Sequence, residues 1–217
     1  MGISVARIEL VDAEHVKAFN VYSKLDLTVA PTLFLEFHGT EASAREQAET
    51  FAAIAEDLGG GPYSWAVKEE DRQKLWQARH DAFWATKPLV PGKESFATDV
   101  CVPISRLAEC VTETQSDLAA NGLYGPIVGH VGDGNFHVVL FCDRNDPKEV
   151  QKVKQVYGRL IDRAIAMGGT STGEHGIGSG KVAYLEKEHG PALAFMRDIK
   201  RALDPKNIMN PGKNAAI

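Results

Sequence analysis

Residues 129–137 read Gly-His-Val-Gly-Asp-Gly-Asn-Phe-His, a pattern that predicts the tip of a β-hairpin. The dipeptide Asp133-Gly134 is favoured at the centre of a two-residue type I′ turn, where both residues need a positive φ. With that turn His130 lies opposite His137, and opposed side chains on one hairpin face point the same way, about 5 Å apart. The pattern therefore predicts two imidazoles that can share one metal ion. The alternative is two histidines in an ordinary hairpin.

A second segment, residues 168–181, is rich in glycine and places a carboxylate beside a third histidine, in the pair Glu174-His175. So much glycine is typical of a loop and not of the interior of a helix or strand. Two histidines and one carboxylate form the ligand set of a catalytic zinc-type site, which keeps coordination positions open for water or substrate. The same donors suit Mn or Fe(II), so the metal's identity stays open. The alternative is a surface loop with an incidental Glu-His pair.

Several functional classes are excluded by the sequence. A Walker A loop would need Gly where His175 stands and Ser or Thr where Val182 stands, and no G-x-G-x-x-G motif follows a strand and opens a helix. The net charge of −5 without a Lys/Arg run argues against nucleic acid as a partner. No apolar stretch approaches the roughly 18 residues of a membrane span, and we expect a cytoplasmic protein that is not an integral membrane protein. The three cysteines lack C-x-x-C spacing, which predicts reduced thiols.

Strand and helix patterns alternate along the chain. Besides the hairpin, strands are predicted at residues 3–11, 31–38, 63–67 and 95–102. Helices are predicted at 13–25, 41–58, 69–85, 103–120, 147–167 and 190–203. This alternation with an antiparallel hairpin predicts an α+β fold with a sheet covered on one face by helices. Because we find no linker, repeat or low-complexity stretch, residues 1–217 are predicted to form one domain.

The motifs together resemble a known family, the C-terminal domain of FAD-linked 2-hydroxy-acid dehydrogenases of the vanillyl-alcohol-oxidase type. The resemblance covers essentially the whole chain and is nearest to the D-lactate dehydrogenase branch. Its motifs are Ala-Pro-Thr-Leu-Phe-Leu-Glu-Phe-His-Gly at 30–39, Leu-Trp-Gln-Ala-Arg-His at 75–80, Thr-Asp-Val-Cys-Val-Pro-Ile-Ser-Arg-Leu at 98–107, residues 129–137, Gly-Glu-His-Gly-Ile-Gly at 173–178, and Leu-Asp-Pro-Lys-Asn-Ile-Met-Asn-Pro-Gly-Lys at 203–213.

The resemblance implies a ferredoxin-like cap with a largely antiparallel sheet, which closes over the flavin ring. The N-terminal module that binds most of the FAD is absent from this sequence. In the family the two hairpin histidines and the Glu of the Glu-His pair hold a divalent metal (Zn, Mn or Fe). The matching residues here are His130, His137 and Glu174.

Further roles follow from the same resemblance. Arg79 would engage the substrate carboxylate, and His175 would lie near the reactive edge of the flavin and take the hydroxyl proton. Asn210 and Lys213 fall in the tail that the family folds back towards the flavin domain. The implied reaction is oxidation of a D-2-hydroxy acid, with D-lactate giving pyruvate. The implied partners are the FAD-binding domain and an electron acceptor such as a cytochrome or quinone. A homodimer and a peripheral membrane association of the complete enzyme are left open.

Two departures from a neighbouring branch bear on the substrate. Dehydrogenases of D-2-hydroxyglutarate tend to carry Lys and Asn at the positions of Ala97 and Val139. Burying a second carboxylate without partners would cost several kcal/mol, so we expect a small hydroxy acid. The alternatives are a cap of the glycolate oxidase or D-2-hydroxyglutarate type, a hydrolase that uses the same metal site, and a non-enzymatic metal-binding module without a flavin partner. The isolated chain is predicted to be inactive and not to retain FAD.

Overall fold

The computed structural model describes residues 2–213, which group into two compact units. The first unit comprises the chain up to Pro91 with Pro126–Gly132, and the second comprises Gly92–Gly125 with the chain from Asp133. The strands are β1 (Val5–Val11), β2 (Thr32–Phe37), β3 (Glu94–Ala97), β4 (Val100–Cys101), β5 (Ile127–Gly129) and β6 (Asn135–Cys142). The α-helices are α1 (Ala13–Tyr22), α2 (Glu41–Asp57), α3 (Glu69–His80), α4 (Ala82–Thr86), α5 (Ile104–Ala120), α6 (Pro147–Ala166), α7 (Leu185–His189) and α8 (Ala192–Leu203). The prediction of a single domain stays a prediction.

The first unit is built on three antiparallel strands in the order β2-β1-β5. Its core joins these strands to α1, α3 and α4. The buried members are Val11, Val16, Ala18, Phe19, Phe34, Ala78, Ala82, Ala85 and Val128. Burial of these apolar side chains is the main stabilising contribution, since each large one gains roughly 1.5–3 kcal/mol on leaving water.

Asp12 connects a helix start to a strand. One carboxylate oxygen accepts a hydrogen bond from the backbone N–H of His15 at 2.9 Å, the usual N-cap contact for α1. The other oxygen accepts from the backbone N–H of Ile127, also at 2.9 Å. One buried side chain thereby starts α1 and ties it to β5.

The buried face of β1 is not the one that its apolar alternation indicates. The apolar alternation places Ala6, Ile8 and Leu10 on one face, yet Glu9 and Val11 are more buried, with 5% and 0% of their surface exposed. Glu9 is paired with Phe34 of β2, a member of the core that contains α1, α3 and α4. The helices therefore cover the face that carries a glutamate.

The second unit is organised around β6, whose eight residues are all buried. Strands β3 and β4 both pair with β6 in antiparallel fashion. Helices α5 and α6 are joined by Arg159, whose guanidinium donates to the Asp117 carboxylate at 2.7 and 2.9 Å. All strand pairs within the two units are antiparallel, and the prediction of an α+β fold is confirmed.

The predicted strand at 95–102 is interrupted after Ala97, because Thr98 and Asp99 depart from the ladder. The Thr98 hydroxyl accepts from the backbone N–H of Val138 at 2.9 Å, so a side chain substitutes for a main-chain partner. The Asp99 side chain is directed to the glycine-rich loop described below. The two residues replace regular pairing with contacts that serve that loop.

Two other predicted elements differ from the structure. The predicted strand at 63–67 is absent: these residues pair with no other strand, and Trp65 and Val67 are 50% and 82% exposed. A strand is stable only when a neighbouring strand accepts and donates its backbone hydrogen bonds. The alternating pattern at 63–67 was therefore not enough to predict a strand. The predicted helix at 69–85 divides at Asp81 into α3 and α4.

The predicted type I′ turn is wrong. A type I′ turn needs a positive φ at both central residues. Gly134 has a φ of +79°, but the φ of Asp133 is not positive. A Cβ on Gly134 would lie 2.0 Å from the carbonyl oxygen of Val102, and the backbone N–H of Val102 donates to the Gly134 carbonyl at 3.0 Å. The close approach of these two segments shapes the turn, and the dipeptide rule did not anticipate it.

Candidate functional site

His137 lies on β6 with its side chain 9% exposed and its ring orientation fixed. Nδ1 is 2.9 Å from the carbonyl oxygen of Thr98, which can only accept, so Nδ1 carries the proton. The lone pair is then on Nε2, 3.1 Å from Oε1 of Glu174. Burial lowers the pKa of His137, which favours the neutral ring. A neutral histidine held by a backbone carbonyl is the form that binds metals.

Glu174 and His175 lie about half-exposed in the glycine-rich loop. The ring of His175 stacks on that of His137, with centroids 4.9 Å apart and planes 12° from parallel. Nε2 of His175 is 3.6 Å from the Glu174 carboxylate. Gly173 allows the loop to lie close to Asn135, because a Cβ on residue 173 would be 1.8 Å from Nδ2 of Asn135. The loop thus places a carboxylate and a solvent-accessible imidazole beside a buried one.

Asp99 holds that loop in place. Its carboxylate accepts hydrogen bonds from the backbone N–H groups of residues 173–175 at 3.0–3.2 Å and from the Thr172 hydroxyl at 2.8 Å. Asn135 donates to it at 2.8 Å. Burial by itself would raise the pKa of Asp99, but these bonds and Lys181 hold it far below the usual range. Asp99 therefore remains ionised and shapes the backbone on which Glu174 and His175 stand.

Ligand atoms of Asp99, His137 and His175 also lie within 4.8 Å of one another, as a metal site would require. The carboxylate of Asp99 already accepts from three backbone N–H groups and three side chains, which exceeds its roughly four lone-pair sites. Little acceptor capacity is left for an ion. We therefore assign Asp99 to the support of the loop and not to the ligand set.

Lys181 is a buried cation, 7% exposed, at the base of the same loop. Its ammonium donates to the carbonyl oxygen of Asp99 at 2.8 Å and to the carboxylate of Asp99 at 3.2 Å. Burial lowers the pKa of Lys181, and the Asp99 charge counteracts that effect. The pair neutralises two charges that would be costly to bury separately.

Arg79 lies in the first unit, where it meets a buried carboxylate. Its Nε and Nη2 donate to Oε2 of Glu9 at 3.1 and 2.8 Å. Nδ1 of His130 lies 2.8 Å from the other oxygen, Oε1. Burial alone would raise the pKa of Glu9, but His130 and Arg79 lower it overall. An ionised glutamate therefore sits between the predicted substrate anchor and one predicted metal ligand.

The predicted site residues fall in both units. Arg79 and His130 belong to the first unit, whereas His137, Glu174 and His175 belong to the second. Within the second unit the structure brings its three members together. Because the predicted metal triad draws on both units, its full membership stays a prediction that rests on the sequence motif.

Asn210 and Lys213 lie in the exposed tail after α8. The backbone N–H of Lys213 donates to the carbonyl of Asn210 at 3.1 Å, and Asn210 has a φ of +48°. The two residues form a turn whose amide and ammonium donors are accessible. Such donors suit an anionic partner, but their contact with a flavin stays a prediction.

The two residues used to predict substrate size are neighbours. Ala97 of β3 is paired with Val139 of β6, so their side chains are on the same face of the sheet. Val139 is two residues after His137, and side chains two apart on a strand share a face. The absent Lys and Asn would therefore have stood on the same side as His137.

Sequence reasoning missed the supporting carboxylates. The apolar alternation of its strand places Glu9 on the face opposite Ala6, Ile8 and Leu10, and Asp99 entered the sequence analysis only as part of the motif at 98–107. A charged residue inside an apolar strand pattern was the available signal in both places, since an uncompensated charge there would be costly. Their partners are 36 to 121 residues away, which no local pattern reveals.

Comparison with known proteins identifies the family. Residues 1–214 match the family described as FAD linked oxidases, C-terminal domain, and the chain belongs to it. A protein of Danio rerio named "Probable D-lactate dehydrogenase, mitochondrial" is 52% identical over 98% of this chain and 43% of its own length. "D-lactate dehydrogenase [cytochrome], mitochondrial" of Arabidopsis thaliana is 43% identical over 98% of this chain and 38% of its own length. The chain thus spans about two fifths of the length of these relatives.

The fold is similar to that of a solved structure, 4-ethylphenol oxidase from Gulosibacter chungangensis in complex with isoeugenol. The TM-score is 0.64 over 97% of this chain and 47% of that one, at 16% sequence identity. At this identity the likeness concerns the fold alone. Among residues 2–213, no helix is long and apolar enough to cross a bilayer.

Proposed function

We propose that this chain is the substrate- and metal-binding part of an FAD-dependent dehydrogenase that oxidises D-lactate to pyruvate. The observation that carries the proposal is the arrangement around Glu174, whose carboxylate lies 3.1 Å from Nε2 of His137 beside the stacked ring of His175. The names of the two relatives, at 52% and 43% identity, support D-lactate as the substrate.

The donors of His137 and Glu174 fit a divalent metal. A nitrogen and an oxygen 3.1 Å apart suit adjacent positions around an ion that binds each at about 2.1 Å. The bond from His130 to a carboxylate supports its role as the third ligand, because metal-binding histidines usually donate their other ring N–H in this way. When bound, such an ion supplies a Lewis acid for the substrate hydroxyl, and FAD supplies the hydride acceptor.

Arg79 and His175 would then handle the substrate. The guanidinium of Arg79 would bind the carboxylate through two parallel hydrogen bonds and so fix the orientation of the α-carbon. The exposed imidazole of His175 would take the proton of the α-hydroxyl while the hydrogen bound to the α-carbon leaves as hydride. Oxidation of the alcohol would thereby transfer one proton to His175 and one hydride, which is a proton with two electrons, to the flavin.

The rest of the enzyme is inferred from the relatives. We infer an FAD-binding region outside this sequence, with Asn210 and Lys213 turned towards it, and a cytochrome or quinone as electron acceptor. The name of the Arabidopsis relative includes a cytochrome. The cytoplasmic location stays a prediction, and the names of both relatives include the word mitochondrial. A homodimer likewise stays a prediction.

A small substrate is favoured by the cross-strand pair of Ala97 and Val139, which lies on the face of the sheet that carries His137. Neither side chain offers a partner to a second carboxylate. We expect D-lactate and other short hydroxy acids to react with a higher kcat/KM than D-2-hydroxyglutarate. A preference for the dicarboxylate would move the assignment to that branch, and a preference for glycolate would move it to the glycolate oxidases.

The test uses the complete FAD-containing enzyme and an artificial electron acceptor. We expect turnover of D-lactate and about one bound divalent ion, with both lost in His137→Ala. The matched control is His189→Ala in the same unit, because the side chain of that histidine is 30% exposed, lies 3.8 Å from Glu188 and is not among the residues assigned to the site. Metal binding without turnover of any hydroxy acid would support a non-enzymatic metal-binding module instead.

A further inference from the structure

We propose that Glu9 is a positioning residue that sets both the substrate anchor Arg79 and the metal ligand His130. The inference deepens the proposed dehydrogenase function and rests on it. The side chain of Glu9 is 6% exposed. It belongs to β1, a strand for which the sequence motifs predict no functional residue. All three residues belong to the first unit.

The contact with Arg79 leaves part of the guanidinium available. Glu9 accepts from Nε and Nη2 through the single oxygen Oε2. Nη1 keeps both N–H donors, and Nη2 keeps one, because each terminal nitrogen carries two. The Nη1–Nη2 edge can therefore bind a second carboxylate in the bidentate geometry while Glu9 holds the other edge.

The contact with His130 fixes its tautomer. The Glu9 carboxylate is bound to the permanently charged guanidinium of Arg79 and acts as an acceptor, so Nδ1 of His130, 2.8 Å from Oε1, carries the proton. The metal-binding lone pair is then on Nε2, on the far side of the ring from Glu9. This is the carboxylate–histidine arrangement that orients a metal ligand and raises its basicity.

The two contacts need a carboxylate of this length. Oε1 serves His130 and Oε2 serves Arg79, so each oxygen has its own partner. A glutamine has one acceptor oxygen and would turn N–H donors towards one of the two. An aspartate keeps the charge but is one methylene shorter, so it cannot span both from the same place on β1.

The experiment compares Glu9→Gln and Glu9→Asp with wild type in the complete enzyme. We expect both variants to lower kcat/KM for D-lactate, mainly through a higher KM, and to weaken metal affinity, each by about 10- to 100-fold. The matched control is Glu36→Gln, because Glu36 is a more exposed glutamate of the same unit that also lies between an arginine and a histidine, Arg7 and His38. We expect the control to stay within about twofold of wild type.

Kinetics of the wild-type enzyme distinguish a failure of the Glu9 proposal from a failure of the proposed dehydrogenase function. If wild type neither oxidises D-lactate nor binds metal, the proposed function fails. If wild type does both and folded Glu9 variants keep its KM and metal affinity, or change only one of them, the role of Glu9 is overturned. Should neither variant fold, ¹⁵N shifts of the histidine rings in wild type decide: a proton on Nδ1 of His130 supports the proposal, and a proton on Nε2 overturns it.

Discussion

Glu9 in the first unit and Asp99 in the second are both buried carboxylates, but they bind different kinds of partner. Glu9 accepts from two side chains, Arg79 and His130. Asp99 accepts from the main-chain N–H groups of residues 173–175 as well as from side chains, and its charge is balanced by buried Lys181. Hydrogen bonds to side chains orient those side chains but leave the backbone conformation unconstrained. Hydrogen bonds to successive backbone N–H groups fix the backbone conformation itself. We therefore expect changes at Asp99 to affect folding first and changes at Glu9 to affect function first.

The largest effect is expected for Asp99→Asn. The amide cannot accept from all the N–H groups, and Lys181 is left buried without a counter-charge, so unfolding should become easier by about 3–5 kcal/mol. Urea denaturation measures this loss. The control is Asp117→Asn, which weakens a more accessible pair with Arg159 and should cost about 1 kcal/mol or less. Equal losses of unfolding free energy in the two variants would contradict the assignment of Asp99 as the main support of the loop.

Arg79→Lys should affect catalysis more than stability, the opposite of Asp99→Asn. An ammonium is a point charge and cannot form two parallel bonds to a carboxylate. Losing one charge-assisted bond of roughly 1.5–3 kcal/mol lowers kcat/KM for D-lactate by about 10- to 150-fold. Steady-state kinetics of the complete enzyme provide the measurement. Arg72→Lys on the exposed side of the same helix is the control, and kinetics of Arg79→Lys that match it would exclude Arg79 from the site.

Gly173→Ala tests how closely the loop must approach Asn135. The added Cβ would meet Nδ2 of Asn135 at 1.8 Å, and overpacking of this kind costs about 1–3 kcal/mol. We expect weaker metal binding with it, since Glu174 follows directly. Gly180→Ala in the same segment is the control, because a Cβ there would meet nothing within 4 Å. Calorimetric titration with Zn²⁺ and thermal melting of both variants provide the measurements. If Gly173→Ala and Gly180→Ala had the same metal affinity and melting temperature, the loop would tolerate the methyl group and the prediction would be wrong.

The smallest effect concerns pH. The pKa of Asp99 is lower in the folded protein than in the unfolded chain, so protonation favours unfolding. Its contribution to stability should be complete at neutral pH and should be lost progressively as the pH falls below about 3.9, the usual value for aspartate. Acid titration of the free energy of unfolding for wild type and Asp99→Asn checks this. Parallel curves down to pH 3 would contradict the assigned protonation.

The sequence by itself determined features that depend on neighbouring residues. Helices were predicted at 41–58 and 147–167, and the residue before each accepts the expected capping bond. Thr40 accepts from the N–H of Ser43 at 3.2 Å, and Asp146 accepts from the N–H of Lys148 at 2.9 Å. The α+β class followed from the alternating patterns. The glycine-rich segment was rightly predicted to be neither helix nor strand, because so many glycines weaken both.

Only the tertiary structure decided which polar residues support the site. Glu9 meets Arg79 and His130 across 70 and 121 residues, and Asp99 meets Lys181 across 82. Dependence on residues distant in the sequence also explains the two wrong predictions. The predicted strand at 63–67 has no partner strand, and the turn at Asp133-Gly134 is shaped by its contact with Val102. Local propensity and capping act over a few residues, whereas the pairing of a buried charge or a strand edge is settled by segments that meet only when the chain folds.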